Sequence, residues 1–200
     1  HAAVWRDGVM VDLNELTGVA SDNLDSAALA INDNGIIVGW EGSRATIWDG
    51  TEKTYVDYLP FDYTNQALDL NNRGQVVGYS ENSSDPIPDK RAFLYTDGEV
   101  IPLGTLNPNA PESVAHGIND RGEVVGWSHS HRYGTLEIER AFRYYDGVME
   151  ALPMFPDSVD YSQSGAYAIN NRGHIAGYAQ TADAKFAVVW TESGIHKVSE

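Results

Sequence analysis

"AHGINDRGEVVGW", residues 115–127, is an apolar run, a turn of Asn, Asp and Gly, and a second apolar run. That order signals a β-hairpin. The chain repeats it as "ALAINDNGIIVGW" at 28–40, "ALDLNNRGQVVGY" at 67–79 and "AYAINNRGHIAGY" at 166–178. A second pattern alternates with the first: Ala, two residues, an aromatic, then a turn ending in Gly. It stands as "AAVWRDG" (2–8), "ATIWDG" (45–50), "AFLYTDG" (92–98), "AFRYYDG" (141–147) and, more loosely, "AVVWTESG" (187–194). A short apolar stretch follows each copy.

Ala28, Ala67, Ala115 and Ala166 are spaced by 39, 48 and 51 residues. Two hairpins per unit and a period in the forties are the signature of a β-propeller blade. One hairpin cannot bury both of its faces, whereas a four-stranded blade stacked on like blades can. The expected fold is therefore all-β: a β-propeller of four-stranded antiparallel blades, about five in number, with room for one to be incomplete. Residues 1–200 read as a single β-repeat domain, four full repeats and a terminal half repeat. Essentially no helix is expected, because Gly and Pro are spread along the whole length.

Composition narrows the function. The net charge of −16 argues against nucleic acid, whose phosphates need a basic face. No apolar run reaches the ~18 residues of a membrane helix. The chain has no cysteine, which excludes disulfides and cysteine metal sites. No G-x-S-x-G, Walker loop, H-E-x-x-H or Rossmann glycine pattern occurs. The reading is thus of a protein that is not an enzyme and needs no cofactor.

The motifs "A..IN..G.VVG[WY]" and "[HR]AF..Y.DG..PLG" resemble the HAF-type extracellular repeat of bacterial secreted proteins. The tripeptide stands here as "HAA" at the start and "RAF" at 91–93 and 140–142. The resemblance covers nearly the whole chain and implies a secreted or cell-surface β-repeat protein. It implies no particular reaction. Arg44, Arg91 and Arg140 stand where the pattern has His.

Within the repeat, residues 30, 69, 117 and 168 are Ala, Asp, Gly and Ala, small apart from Asp69, as expected where inner strands crowd an axis. Asp69 is a candidate to face a channel or ligand. Asn32, Asn71, Asn119 and Asn170 should bond their own turns, and Gly35, Gly74, Gly122 and Gly173 should take positive φ. Arg44, Arg91 and Arg140 should stack on the aromatics that close strand two, Trp40, Tyr79, Trp127 and Tyr178. His129 and His131, two apart, would share a strand face and could chelate. Whether any metal binds is left open.

In an antiparallel meander all tight turns fall at one end and the longer, variable loops at the other. Those loops, 80–90, 128–139 and 153–165, are where recognition is expected. Tyr63, Tyr133, Phe155 and Tyr161 lie outside both motifs and are the candidate ligand contacts, with Asp69. The leading expectation is a secreted or cell-surface, non-enzymatic module that binds a glycan or an extracellular protein. The alternatives are an assembly protein that self-associates through an open blade edge, and a small propeller hydrolase.

Overall fold

The computed structural model describes residues 1–18, 24–82, 89–133 and 136–198. A half-blade of β1 (Ala3–Arg6) and β2 (Val9–Asp12) comes first. Blade one holds β3 (Ser26–Ile31), β4 (Ile37–Glu41), β5 (Arg44–Asp49) and β6 (Glu52–Tyr55). Blade two holds β7 (Thr64–Leu70), β8 (Val76–Asn82), β9 (Asp89–Thr96) and β10 (Glu99–Pro102). Blade three holds β11 (Ser113–Ile118), β12 (Val124–Tyr133), β13 (Leu136–Tyr145) and β14 (Val148–Ala151). Blade four holds β15 (Ser164–Ile169), β16 (Ile175–Gln180), β17 (Lys185–Thr191) and β18 (Gly194–Lys197). Every blade is an antiparallel meander in chain order. The first strands of successive blades touch one another, which places them along the axis.

Among the described residues the expected absence of helix is broken once, by the single turn α1 (Leu13–Leu16). Asp12 nucleates it by accepting from the Asn14 backbone N–H at 2.9 Å, an N-cap that the sequence reading overlooked.

The core lies between blades. Paired apolar residues in each second strand point to opposite faces because side chains alternate along a strand. Val76 packs into the cluster shared with blade one, and Val77 into the cluster shared with blade three. Val124 and Val125 divide in the same way between blades two and four. Fully buried Phe93 and Phe142 fill the same interfaces, each worth roughly 2–3 kcal/mol of apolar burial. In blade four the pair is Ile175 and Ala176; Ile175 is buried and Ala176 is exposed. Likewise Ala2, Ala45, Ala92 and Ala141 are buried, while Ala187 is exposed. One face of blade four is therefore uncovered among the described residues.

Glycine is required at two motif positions. In "VG[WY]", a Cβ on Gly39, Gly78 or Gly126 would lie 1.9 Å from the carbonyl oxygen of Ala27, Gln66 or Val114. A bulge in each first strand brings that backbone in, between Ala28 and Ala30, Ala67 and Asp69, Ala115 and Gly117, and Ala166 and Ala168. The turn glycines Gly35, Gly74, Gly122 and Gly173 have φ of 81°, 77°, 83° and 82°, as expected.

Two of the three stretches read as irregular loops differ from that reading. Residues 128–133 and 136–139 extend β12 and β13, and 80–82 and 89–90 extend β8 and β9. The physical reason is visible at Ile138, which is fully buried and anchors the longer ladder. Residues 83–88 and 134–135 of those stretches lie outside the described residues.

Candidate functional site

The turn end of the axis is built by the repeated Asn-Asn or Asn-Asp pair. The first Asn caps its own turn: Asn71 Oδ1 accepts from the backbone N–H of Arg73 and of Gln75, both at 3.0 Å. Its Nδ2 then reaches the next blade. Asn32, Asn71 and Asn119 donate to the carbonyls of Asn71, Asn119 and Asn170 at 3.1, 3.0 and 3.1 Å. The second residue runs in parallel. The backbone N–H of Asp33, Asn72 and Asp120 donates to Oδ1 of Asn72, Asp120 and Asn171 at 3.0, 2.8 and 2.8 Å. The expected Asx turn is thus present, and it is also a ladder that stitches blade to blade.

At the other end, a residue at or next to the start of each first strand accepts from the preceding blade. Ser26, Asn65, Ser113 and Ser164 take the backbone N–H of Ala2, Ala45, Ala92 and Ala141 at 2.9, 2.6, 3.1 and 2.9 Å. The invariant Ala of the second motif permits that approach, because its side chain is a single methyl.

Within the ladder lies an axial pocket of about 360 Å³, lined by Asp69, Ile31, Asp33, Asn72, Asp120 and Asn171 among others. Asp69, the one charged residue at its position in the repeat, is part of that lining. Its Oδ2 accepts the Ile118 backbone N–H at 2.9 Å. Burial pushes its carboxyl above the usual carboxylate range, against the N–H donors of Ile118 and Leu70. Asp120 moves the other way, held low by the Asn72 backbone N–H and the Asn171 amide.

Two further axial residues escaped sequence reading. The bulge residue of each first strand is Leu29, Leu68, His116 and Tyr167 in turn. His116 and Tyr167 meet edge to face at 5.1 Å, and Tyr167 lies 6.0 Å from Tyr178. Tyr178 donates to Glu139 Oε2 at 2.8 Å. Burial, with a smaller contribution from Lys90, lowers His116 to about 4, so it is neutral at pH 7. A variable residue inside an otherwise regular motif was the available signal. Crowding at this level is tight: a Cβ on Gly117 would lie 3.2 Å from Ala168 Cα.

A groove of about 490 Å³ between blades three and four carries Arg121, Arg143, Arg172, Glu123 and Trp190. Arg121 binds Glu123 there, and Trp190 donates to the Pro153 carbonyl at 2.8 Å. Burial would raise Glu123, but the Asn119 amide and Arg121 outweigh it and hold the carboxyl low.

The loop face places the candidate aromatics differently. Tyr133 at the end of β12 and Tyr161 before β15 come together, ring centroids 5.6 Å apart, 48% and 44% exposed. His131 beside them bonds the Asp160 carbonyl at 2.8 Å, tying β12 to that loop. Tyr63 is exposed, next to exposed Phe61, whose φ is 72°. Phe155 is not a free platform: it packs against Phe186 at 6.1 Å within the blade-four core.

Two expectations are corrected. The arginines do not stack on the strand-two aromatics. Arg44 lies over Tyr55 and Tyr58, at 4.9 and 5.4 Å, and Arg91 pairs with Asp62. Arg140 reaches the Ser162 carbonyl. The cations over Tyr79 and Tyr178 are Lys90 at 4.8 Å and Lys185 at 3.8 Å. Tyr79 faces Ala92 across the ladder, so strand alternation puts Lys90 on its side and Arg91 on the other. The His129–His131 pair is parted by a bulge between them, which breaks the shared face. His129 instead lies 3.4 Å from Glu112. Among the described residues no group of three or more His, Asp or Glu side chains is arranged to hold a metal.

A family model described as "Protein of unknown function (DUF3466)" matches residues 50–187. The chain belongs to that family. No curated protein sequence matches this DUF3466 chain. Among solved structures it is similar to the β-propeller domain of the Trilobed protease from Pyrococcus furiosus, which has an open velcro topology. The TM-score is 0.54 at 13% identity, over 90% of this chain and 56% of that one. This chain therefore spans little more than half the length of that relative, and the likeness shows the fold alone. The fold is a β-propeller with four complete blades and a half-blade. No helix among the described residues is long and apolar enough to cross a membrane.

Proposed function

We propose that this DUF3466 propeller is a secreted or cell-surface, non-enzymatic binding module whose loop face takes a glycan. The Tyr133–Tyr161 pair carries the reading. Two half-exposed rings side by side leave apolar area in water that a partner would cover. Tyrosine suits a sugar, since the ring meets C–H faces and the hydroxyl stays hydrogen-bonded. The net charge of −16 favours a neutral ligand over a sulfated or phosphorylated one. Secretion is supported by the resemblance of the repeats to the HAF-type extracellular repeat. The fold itself supports a binding or structural module.

The test is a panel of immobilised neutral glycans probed with the wild-type chain and a Tyr133→Ser, Tyr161→Ser double variant. The reading expects a bound glycan whose affinity falls at least about tenfold in the variant, with an unchanged melting temperature. Binding that persists in a folded double variant would sink it. A melting temperature that collapses while affinity holds would make the pair a lid over blade three.

A further inference from the structure

β1 begins with the second repeated motif, so it is equivalent to β5, β9, β13 and β17, the third strand of each full blade. Each of those four pairs with a second strand on one side and a fourth on the other. β1 pairs only with β2 among the described residues. Beside its other edge lies an apolar groove of about 180 Å³, lined by Ala3, Val4, Leu29, Ala30, Ile31 and Ile37. Ile31 in its floor is 57% exposed, whereas its equivalents Leu70 and Ile118 are 6% and 5% exposed. Those two are covered by the second strand of the preceding blade, as when Val77 packs on Ile118.

The ladder points to the same place. The carbonyls of Asn71, Asn119 and Asn170 each accept an Asn amide from the blade before. Oδ1 of Asn72, Asp120 and Asn171 each accepts a backbone N–H from it. Asn32 and Asp33 offer the same two acceptors, and neither takes such a donor among the described residues.

We propose that this surface seats a β-hairpin of the repeat's own type, [SN]-x-A-x-x-[IL]-N-[DN]-x-G-x-[VI]-[VA]-G-[WY]. Its second strand pairs with β1 in the register of β4 on β5, where Gly39 faces Thr46, Val38 faces Ile47 and Ile37 faces Trp48. Its glycine therefore faces Ala3, the residue before it faces Val4, and that strand covers Ile31. Its Asn amide donates to the Asn32 carbonyl, and the next backbone N–H to Asp33 Oδ1. Main-chain pairing supplies affinity and the side-chain pockets supply selection, as in other strand-addition complexes. The inference is independent of the loop-face ligand, which lies at the opposite end of the blades.

An isolated hairpin peptide folds poorly in water, so the test joins a second copy of residues 26–43 directly ahead of His1. That reproduces the connection by which Ser43 leads into β5. Amide exchange of residues 3–6 and the melting temperature are compared with the unfused chain. The proposal expects exchange slowed about tenfold or more and a higher melting temperature. Ile31→Lys, placed in the original copy where the side chain is exposed, should remove both gains and leave the unfused chain's melting unchanged. Unaltered exchange and melting in the fusion would overturn it, as would gains that survive Ile31→Lys. A dimer that protects β1 equally with and without the fused hairpin would also overturn it, assigning the edge to a second copy.

Discussion

Single atoms decide where this repeat tolerates change. Gly122 sits at φ 83°, and a Cβ there would lie 2.6 Å from Arg73 Nη2 of the preceding blade. Gly122→Ala should cost about 1 kcal/mol, mostly backbone strain, since the flexible arginine end moves aside. Gly126→Ala meets the Val114 carbonyl at 1.9 Å instead, and backbone cannot move aside. It should cost about 3 kcal/mol or more. Urea denaturation of both variants checks the order, and equal losses would contradict it. His116 gives a pH signature. Its folded pKa of about 4 lies below the ordinary 6.5, so the unfolded chain binds the extra proton. Stability from this residue is complete above pH 6.5 and is lost as pH falls towards 4, by at most about 3 kcal/mol. Asp69, raised by burial, has the opposite sign and loses its contribution as pH rises through its folded value. His116→Leu, matching Leu29 and Leu68, should flatten the loss between pH 6.5 and 4 in thermal melts. A variant as acid-sensitive as wild type would remove His116 from that role.

At the scale of elements, the Asn ladder and the Ser–Ala contacts explain why the motif repeats: each hairpin is the docking surface for the next. Asn71→Ala removes a turn cap and an inter-blade donor, and should cost about 2–3 kcal/mol. Asn170→Ala removes a turn cap alone, because its Nδ2 has no acceptor among the described residues, and should cost about 1 kcal/mol. Equal losses on thermal unfolding would show that the inter-blade bond contributes nothing. The hairpins, the blade period and the turn glycines were legible because Gly, Asn and alternating apolar residues each mark a local conformation. The ladder was not, since bonds between residues 39 to 51 apart leave no local trace beyond the second Asx of the pair. Lys90 and Lys185 were missed in favour of the arginines because sequence proximity ignores which face a strand residue takes. Of the candidate site, Asp69 was legible as a charge among small residues. The meeting of Tyr133 and Tyr161 depends on β12 extending ten residues, which its polar sequence concealed.

At the scale of the molecule, every unit after the half-blade is stitched to its predecessor, and among the described residues the two ends of the series, the outer edge of β1 and one face of blade four, are left uncovered. Repetition serves the scaffold, and the differences between copies supply chemistry at the axis and on the loop face. The central claim is that the repeated Asn-Asx pair joins blades and does more than shape turns. Residue-resolved amide hydrogen exchange tests it most directly, because the last of four near-identical turns lacks, among the described residues, the onward bonds that the other three make. The backbone N–H groups of Asp33, Asn72 and Asp120 each donate to the next blade, and that of Asn171 has no such acceptor among the described residues. The account predicts slow exchange at the first three and fast exchange at Asn171. Equal protection at all four, or none at any, would contradict it.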